Sequence, residues 1–415
     1  MLGVSLSQLL GQDEVSAFLK GVVAGGRFAN AYLFHGPAGV GKCTAAFAFA
    51  RAMLCERGSG AAPGAPDLFA TASPPAKSGK RAPAPPAAAG AERDDACGAC
   101  AACQKSATLL HPDLRFLFPV SGEEKDLESN VIETLEALRA DPLFVFKYPK
   151  AASIRLSITR DLLRELGYKP FEAARRVVVV RDADRMREDQ YSALLKSIEE
   201  PGASTVWILT TARIARLPAT IRSRCQRVRF APLAEPLVRE FLMKRAELRE
   251  PEARMLAALS SGSLARALVL RDAKPPALEL RDQALALLEP ALRGDPATLW
   301  KTSQGFARFS SGGRETLRLV IEFHELWLRD LLRARYGAPR EDLVHRDREA
   351  EIRRLSASVD ATEIRRRLLV LEEVLRAIEG NVAPDVALFS GLSRVAGARL
   401  GEGEWPRAAA ARWDY

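Results

Sequence analysis

The sequence predicts an α/β domain built on a parallel sheet, followed by regions that are entirely helical. Three observations carry that prediction. Short β-branched runs alternate with helical stretches over the first half of the chain, a glycine-rich turn joins the first strand to a helix, and strand signals stop near residue 231.

Residues 1–55 read as a helix, a strand at "AYLF" (Ala31–Phe34), a glycine-rich turn, and a helix from about Lys42 to Leu54. Residues 56–96 are dominated by Ala, Pro and Gly and carry almost no large apolar side chains. Such a segment cannot bury enough surface to offset its ordering entropy, so a disordered insertion is expected there. From 106 to 230 the runs "RVVVV", "TVWILTT" and "QRVRF" read as strands, and "TRDLLRELGY" and "DQYSALLKSIEE" as helices. Unbroken valine and isoleucine point to a sheet covered on both faces. Beyond 231 the apolar residues recur at helical spacing, with Arg and Glu on the other faces. Residues 231–275 read as a small helical domain, 280–400 as a separate helical bundle, and 401–415 as a loosely held tail.

At 415 residues the chain is long enough for two or three domains. Its 47% apolar and 27% charged content is that of a soluble globular protein. No apolar run reaches the roughly eighteen residues needed to cross a bilayer, and the start lacks the pattern of a leader peptide, so a cytoplasmic location is expected. The formal charge of +9 comes largely from Arg. It fits a polyanionic partner such as nucleic acid, and equally a compositional bias of the coding sequence.

Two clusters of residues carry chemistry. In "YLFHGPAGVGKC", Gly36, Gly39, Gly41 and Lys42 follow a strand and open a helix at G-x-x-x-x-G-K spacing. Glycines there let backbone N–H groups turn around phosphate oxygens, the helix N-terminus adds partial positive charge, and the lysine reaches the β- and γ-phosphates. Cys43 stands where Ser or Thr would offer a hydroxyl to Mg²⁺, and a neutral thiol is a poor ligand for so hard an ion. Arg181 closes the valine run at the place of the Mg²⁺-holding aspartate, with Asp182 at that of the water-activating carboxylate. Asp182 or Asp184 could take the metal role only if the strand ended later. Little or no hydrolysis is expected, while MgATP or ADP could still bind. The second cluster is Cys55 with Cys97, Cys100 and Cys103 in "CGACAAC". C-x₂-C steps let thiolates converge on one tetrahedral Zn²⁺, and a closed four-thiolate site serves as a staple with no position left for catalysis. His111, before Pro112 and Asp113, and His35, beside the glycine loop, read as structural.

Together "AYLFHGPAGVGK", the four-cysteine module, "HPDLRFLFP", "SALLKSIEEP", "LPATIRSRCQRVRF", "GSLARAL" and "NVAPDVALF" resemble the clamp-loader ATPases of the AAA+ superfamily, over roughly residues 5–400 without the insertion. The defective metal positions, the "DADRM" wording and the lack of a long extension make the chain look most like the delta-prime type of the bacterial DNA polymerase III clamp loader. The resemblance implies an AAA+ P-loop domain with a parallel sheet and a zinc module at 1–230, a helical lid at 231–275 and an all-α collar at 280–400. It implies a stationary member of a hetero-pentameric ring with gamma/tau and delta subunits, helping to load a sliding clamp onto primed DNA, with the polymerase activity in another subunit. It assigns Arg224 in "SRC" as an arginine finger offered in trans, and Thr210 and Thr211 as sensor-1 candidates. In "GSLARAL" the motor subunits carry an arginine directly after "GSL", where this chain has Ala265 and then Arg266, a rotation of about 100° that weakens a sensor-2 role. An active gamma/tau-type ATPase and a zinc-containing DNA-binding scaffold are the alternatives; a hydrolase built on the cysteines lacks an open coordination position.

Overall fold

The structure is a computed structural model that describes residues 2–57, 94–121, 127–141, 143–146, 152–199, 204–273, 276–287, 295–309, 314–379, 382–395 and 397. The expected disordered insertion, apart from residues 56–57 and 94–96, lies outside the described residues, as do Asn381 and the tail. The chain divides into two units, Met1–Leu233 and Ala234–Tyr415.

In the first unit the strands are β1 (Ala31–His35), β2 (Leu114–Leu117), β3 (Val120–Ser121), β4 (Ala152–Ser153), β5 (Arg176–Val180), β6 (Thr205–Thr211) and β7 (Gln226–Arg229). Five of them form one parallel sheet in the order β2-β5-β6-β1-β7, and β3 pairs antiparallel with β4. The helices are α1 (Asp13–Gly25), α2 (Lys42–Leu54), α3 (Ala101–Ala107), α4 (Leu127–Ala140), α5 (Leu156–Glu165), α6 (Glu188–Glu199) and α7 (Ala219–Arg224). The parallel α/β arrangement is therefore the one expected.

The valine run of β5 shows why its sequence does not alternate. Val177 and Val179 join a core with Phe34, Phe47 and Phe49, while Val178 and Val180 join another with Leu194, Trp207 and Leu209. Helices cover both faces, so every residue of the strand is buried, each valine contributing about 1.5 kcal/mol or more. β2 is a strand that the sequence pattern does not reveal. Its four residues, "LRFL", include Arg115 and sit between Pro112 and Pro119 at the sheet edge, where only one neighbour pairs. Its entry is fixed by buried Asp113, whose carboxylate accepts from the N–H groups of Phe171, Glu172 and Ala173 at 2.6, 2.7 and 2.8 Å. His111 Nδ1 accepts from the Asp113 N–H at 3.1 Å, a structural contact.

Among its described residues the second unit is helical throughout: α8 (Glu235–Arg245), α9 (Glu250–Ser260), α10 (Leu264–Arg271), α11 (Ala277–Ala286), and helices Pro296–Phe309, Arg314–Arg335, Glu349–Ser358, Ala361–Glu379 and Pro384–Val395. Pro236 and Pro251 occupy the first turns of α8 and α9, where a missing N–H costs nothing. The segments expected at 231–275 and 280–400 lie in this one unit apart from 231–233. Buried Arg254 of α9 donates to the Glu341 carbonyl at 3.1 Å and pairs with Glu250, which also meets Arg346 at 3.2 Å. On the helix Arg314–Arg335, the buried Asp330 carboxylate accepts from the N–H groups of Val344 and His345 and pairs with His345 Nδ1 at 2.9 Å. No helix among the described residues is long and apolar enough to cross a membrane.

Candidate functional site

The turn between β1 and α2 is shaped by three glycines in the left-handed region, Gly36 (φ 143°), Gly39 (75°) and Gly41 (100°). Gly36 is also a close approach, since a Cβ there would lie 2.2 Å from the Phe230 carbonyl oxygen. Gly41 caps α2, so the free N–H groups of the first helical turn open onto this loop. Lys42 is 6% exposed and donates Nζ to the carbonyls of Gly36, at 2.7 Å, and Pro37. Burial draws its ammonium pKa down to about 8, against the opposing pull of the Asp182 carboxylate. His35, at the end of β1, is likewise lowered by burial and by the charges of Arg227, Arg229 and Lys42.

Cys43 is buried, with its thiol against the Arg181 guanidinium. Burial raises that thiol's pKa, so it is neutral at physiological pH. β5 ends at Val180, which leaves Arg181 as the first residue past the strand. Its guanidinium lies 4.0 Å from the Phe146 ring centroid, and its Nε 3.4 Å from Asp182 Oδ2. A neutral thiol and a cation are thus in mutual contact next to the glycine loop, and neither is a ligand for Mg²⁺. A divalent ion about 4 Å from a guanidinium is opposed by roughly 8 kcal/mol at an effective dielectric of 20.

Both nearby aspartates face arginines. Asp184 is 3% exposed in its side chain; Oδ1 accepts from Thr211 Oγ1 at 2.7 Å, and Oδ2 pairs with Arg213 at 2.7 Å. Asp182 sits in the left-handed region (φ 47°), its N–H donating to Thr210 Oγ1 at 3.2 Å and its carboxylate facing Arg181. The residues present do not fit Mg²⁺. Thr210 and Thr211, both buried, tie the end of β6 to the turn after β5.

The four cysteine sulfurs lie within 4.8 Å of one another. Cys55 Sγ to Cys100 Sγ and Cys97 Sγ to Cys103 Sγ are each 3.9 Å. Sulfurs about 2.3 Å from one tetrahedral zinc stand about 3.8 Å apart, so this donor set fits such an ion. The N–H groups of Cys97, Cys100 and Cys103 point at the sulfurs of Cys55, Cys97 and Cys100 at 3.5, 3.4 and 3.4 Å, which favours thiolates. A hydrogen bond from the Cys103 thiol holds Cys55 below the ordinary thiol range, and the same contact pushes Cys103 up.

Arg224 ends α7, which packs with α6 on the sheet face opposite α2. Its side chain is 41% exposed, with Nε 2.5 Å from Glu199 Oε1 and Nη1 donating to the Thr220 carbonyl at 3.1 Å. The structure therefore gathers the glycine loop, Lys42, Cys43, Arg181, Asp182 and the two threonines, and sets Arg224 apart at another surface. Arg266 on α10 is paired with Glu322, which also takes Arg318. Sequence reasoning did not single out Phe146, Arg213 or Glu199. Arg213 follows Thr211 by two residues and could have been suspected as the partner of an acidic turn; the other two contacts come only with the tertiary fold.

The profile of a family described as "DNA polymerase III, delta subunit" matches residues 11–65 and 87–234. The chain is 32% identical over 203 residues to DNA polymerase III subunit delta' of Pseudomonas aeruginosa, covering 48% of this chain and 43% of the relative. It is 25% identical over 296 residues to DNA polymerase III subunit tau of Bacillus subtilis, covering 70% of this chain and 39% of that one. The chain thus spans about two fifths of the length of these relatives. A gamma subunit-related protein of Thermotoga maritima overlays at a TM-score of 0.32 with 19% identity, over 71% of this chain and 98% of its own. The profile match, together with the delta' and tau relatives, places the chain in the clamp-loader family of DNA polymerase III subunits.

Proposed function

We propose that this chain is a delta-prime-type clamp-loader subunit, with little or no ATP hydrolysis of its own, that offers Arg224 in trans to the nucleotide held by a neighbouring gamma/tau subunit. The observation that carries this reading is the Arg181 guanidinium against Cys43, a cation where hydrolysis needs a metal. An arginine supplied across an interface stabilises charge on the γ-phosphate in the transition state and needs no nucleotide in its own subunit. Arg224 suits that task because it is exposed and lies away from the chain's own glycine loop. The partners proposed are gamma/tau and delta subunits in a hetero-pentameric ring, the sliding clamp, and primed DNA reached through the complex. The cysteine cluster holds Zn²⁺ as a structural staple. Residues 231–275 act as the lid and 280–400 as the collar.

A second reading, an active gamma/tau-type ATPase, draws on the intact Gly36, Gly39, Gly41 and Lys42 and on the tau relatives. Turnover separates the two. In a loader reconstituted with gamma/tau, delta, clamp and primed DNA, Lys42→Ala in this chain changes ATP turnover only slightly, while Arg224→Ala lowers it tenfold or more, about the loss of an arginine finger. Equal effects of the two substitutions would sink the proposal. Steady hydrolysis by the isolated chain, abolished by Lys42→Ala, would favour the motor reading.

A further inference from the structure

The glycine loop raises a question that the loss of hydrolysis leaves open. The loop has three left-handed glycines, one of them packed against the Phe230 carbonyl, and a lysine at the helix start, the features with which such a turn surrounds phosphate oxygens. We propose that the pocket at the head of α2 binds a nucleoside polyphosphate in its metal-free form, the Arg181 guanidinium standing in the place of the divalent cation. This rests on the reading of the chain as a subunit without hydrolysis, and it specifies the ligand of that same loop.

The geometry supports an exchange of cations. Arg181 is held on three sides, by the Phe146 ring at 4.0 Å, by Asp182 at 3.4 Å and by the Cys43 thiol. Cys43 occupies the position whose hydroxyl would touch the metal directly, so a guanidinium against this thiol lies in the metal's own seat. A planar guanidinium can donate two parallel hydrogen bonds to phosphate oxygens, and it cannot deprotonate in this setting. Lys42 and the helix N-terminus add positive charge around the loop, opposed by the nearby Asp182 carboxylate, while Asp184 is paired with Arg213. A polyphosphate that keeps its full negative charge gains from all three. A Mg²⁺ complex of the same nucleotide brings less negative charge and sets a divalent cation against a fixed one. Pockets that hold Mg²⁺ rank these two ligand forms the other way.

The test is calorimetric titration of the full chain with ADP, and separately with ATP, in EDTA and in excess Mg²⁺. The expected result is binding in EDTA about tenfold or more tighter than in Mg²⁺, as repulsion between the two cations requires. Arg181→Asp, which restores a carboxylate, should reverse that order, and Lys42→Ala should weaken binding in both media. Tighter binding in Mg²⁺ by the unaltered chain overturns the proposal, and accompanying hydrolysis overturns the non-hydrolysing reading as well. No binding in either medium overturns the proposal alone, because an arginine offered in trans requires no ligand here.

Discussion

Cys43 and Arg181 are 138 positions apart, yet their side chains touch, and under the proposed function the contact couples two departures from a metal site. With the hydroxyl alone lost, an aspartate after β5 could still hold Mg²⁺ through water; with the aspartate alone lost, a hydroxyl would face a cation. Thiol and guanidinium together form a stable neutral-to-cation contact in a buried place. Gly36 matters at the same scale for a steric reason. A Cβ 2.2 Å from the Phe230 oxygen must move the end of β7, and the residue would also be held at φ 143°. Gly36→Ala is therefore expected to destabilise the first unit by about 3 kcal/mol, read as a lower denaturation midpoint with an unchanged slope.

Among the elements, α2 is the one whose two ends do different work. Its N-terminus opens onto the glycine loop, and its C-cap residue is Cys55, one of the four clustered thiols. Cys100→Ser should release bound zinc and lower the thermal midpoint of the unit by several degrees, checked by metal analysis and calorimetry on the same sample. Unchanged metal content would remove the staple. The bounds of α2 were legible because both punctuation marks are local, a glycine before it and a cysteine after it. β5 and β6 were legible because a strand covered on both faces needs apolar residues at every position, and β7, exposed at three of its four positions, because "QRVRF" alternates polar and apolar residues. β2 was not, because "LRFL" has no β-branched residue and neither alternates nor runs unbroken in apolar side chains. In the site, the loop and the cysteines are written in short runs of neighbours. The seat of Arg181 on Phe146, the Arg213 clamp on Asp184 and the hold of Glu199 on Arg224 join segments at least 25 residues apart, so no local pattern announces them.

For the molecule as a whole, acid should weaken the fold through its buried and half-buried histidines, and in the second unit that effect centres on one residue. His324, on the helix Arg314–Arg335, is fully buried with Nδ1 2.7 Å from the Val320 carbonyl, and burial draws its pKa down to about 4. It stays neutral in the folded state while the unfolded chain takes up a proton near its ordinary value of about 6.5, so stability is lost as pH falls between those values. The second unit should lose about 2 kcal/mol between pH 7 and pH 5 from this group, and His324→Leu should flatten that slope in denaturant titrations. An unaltered slope would assign the acid sensitivity elsewhere. The cysteine cluster has a consequence at this scale too. Cys55 and Cys97 bracket the stretch from 56 to 96, and the Cys97 N–H lies 3.5 Å from the Cys55 sulfur, so the two ends of that stretch meet at the cluster. Once its two ends are joined, the length of the sequence between them adds little to the cost of closure. The cluster is thus a splice point: the number of residues between its two ends can change at little entropic cost, provided that Glu56 and Asp95, which accept from the N–H groups of Ala102, Leu6 and Ser7, stay beside it.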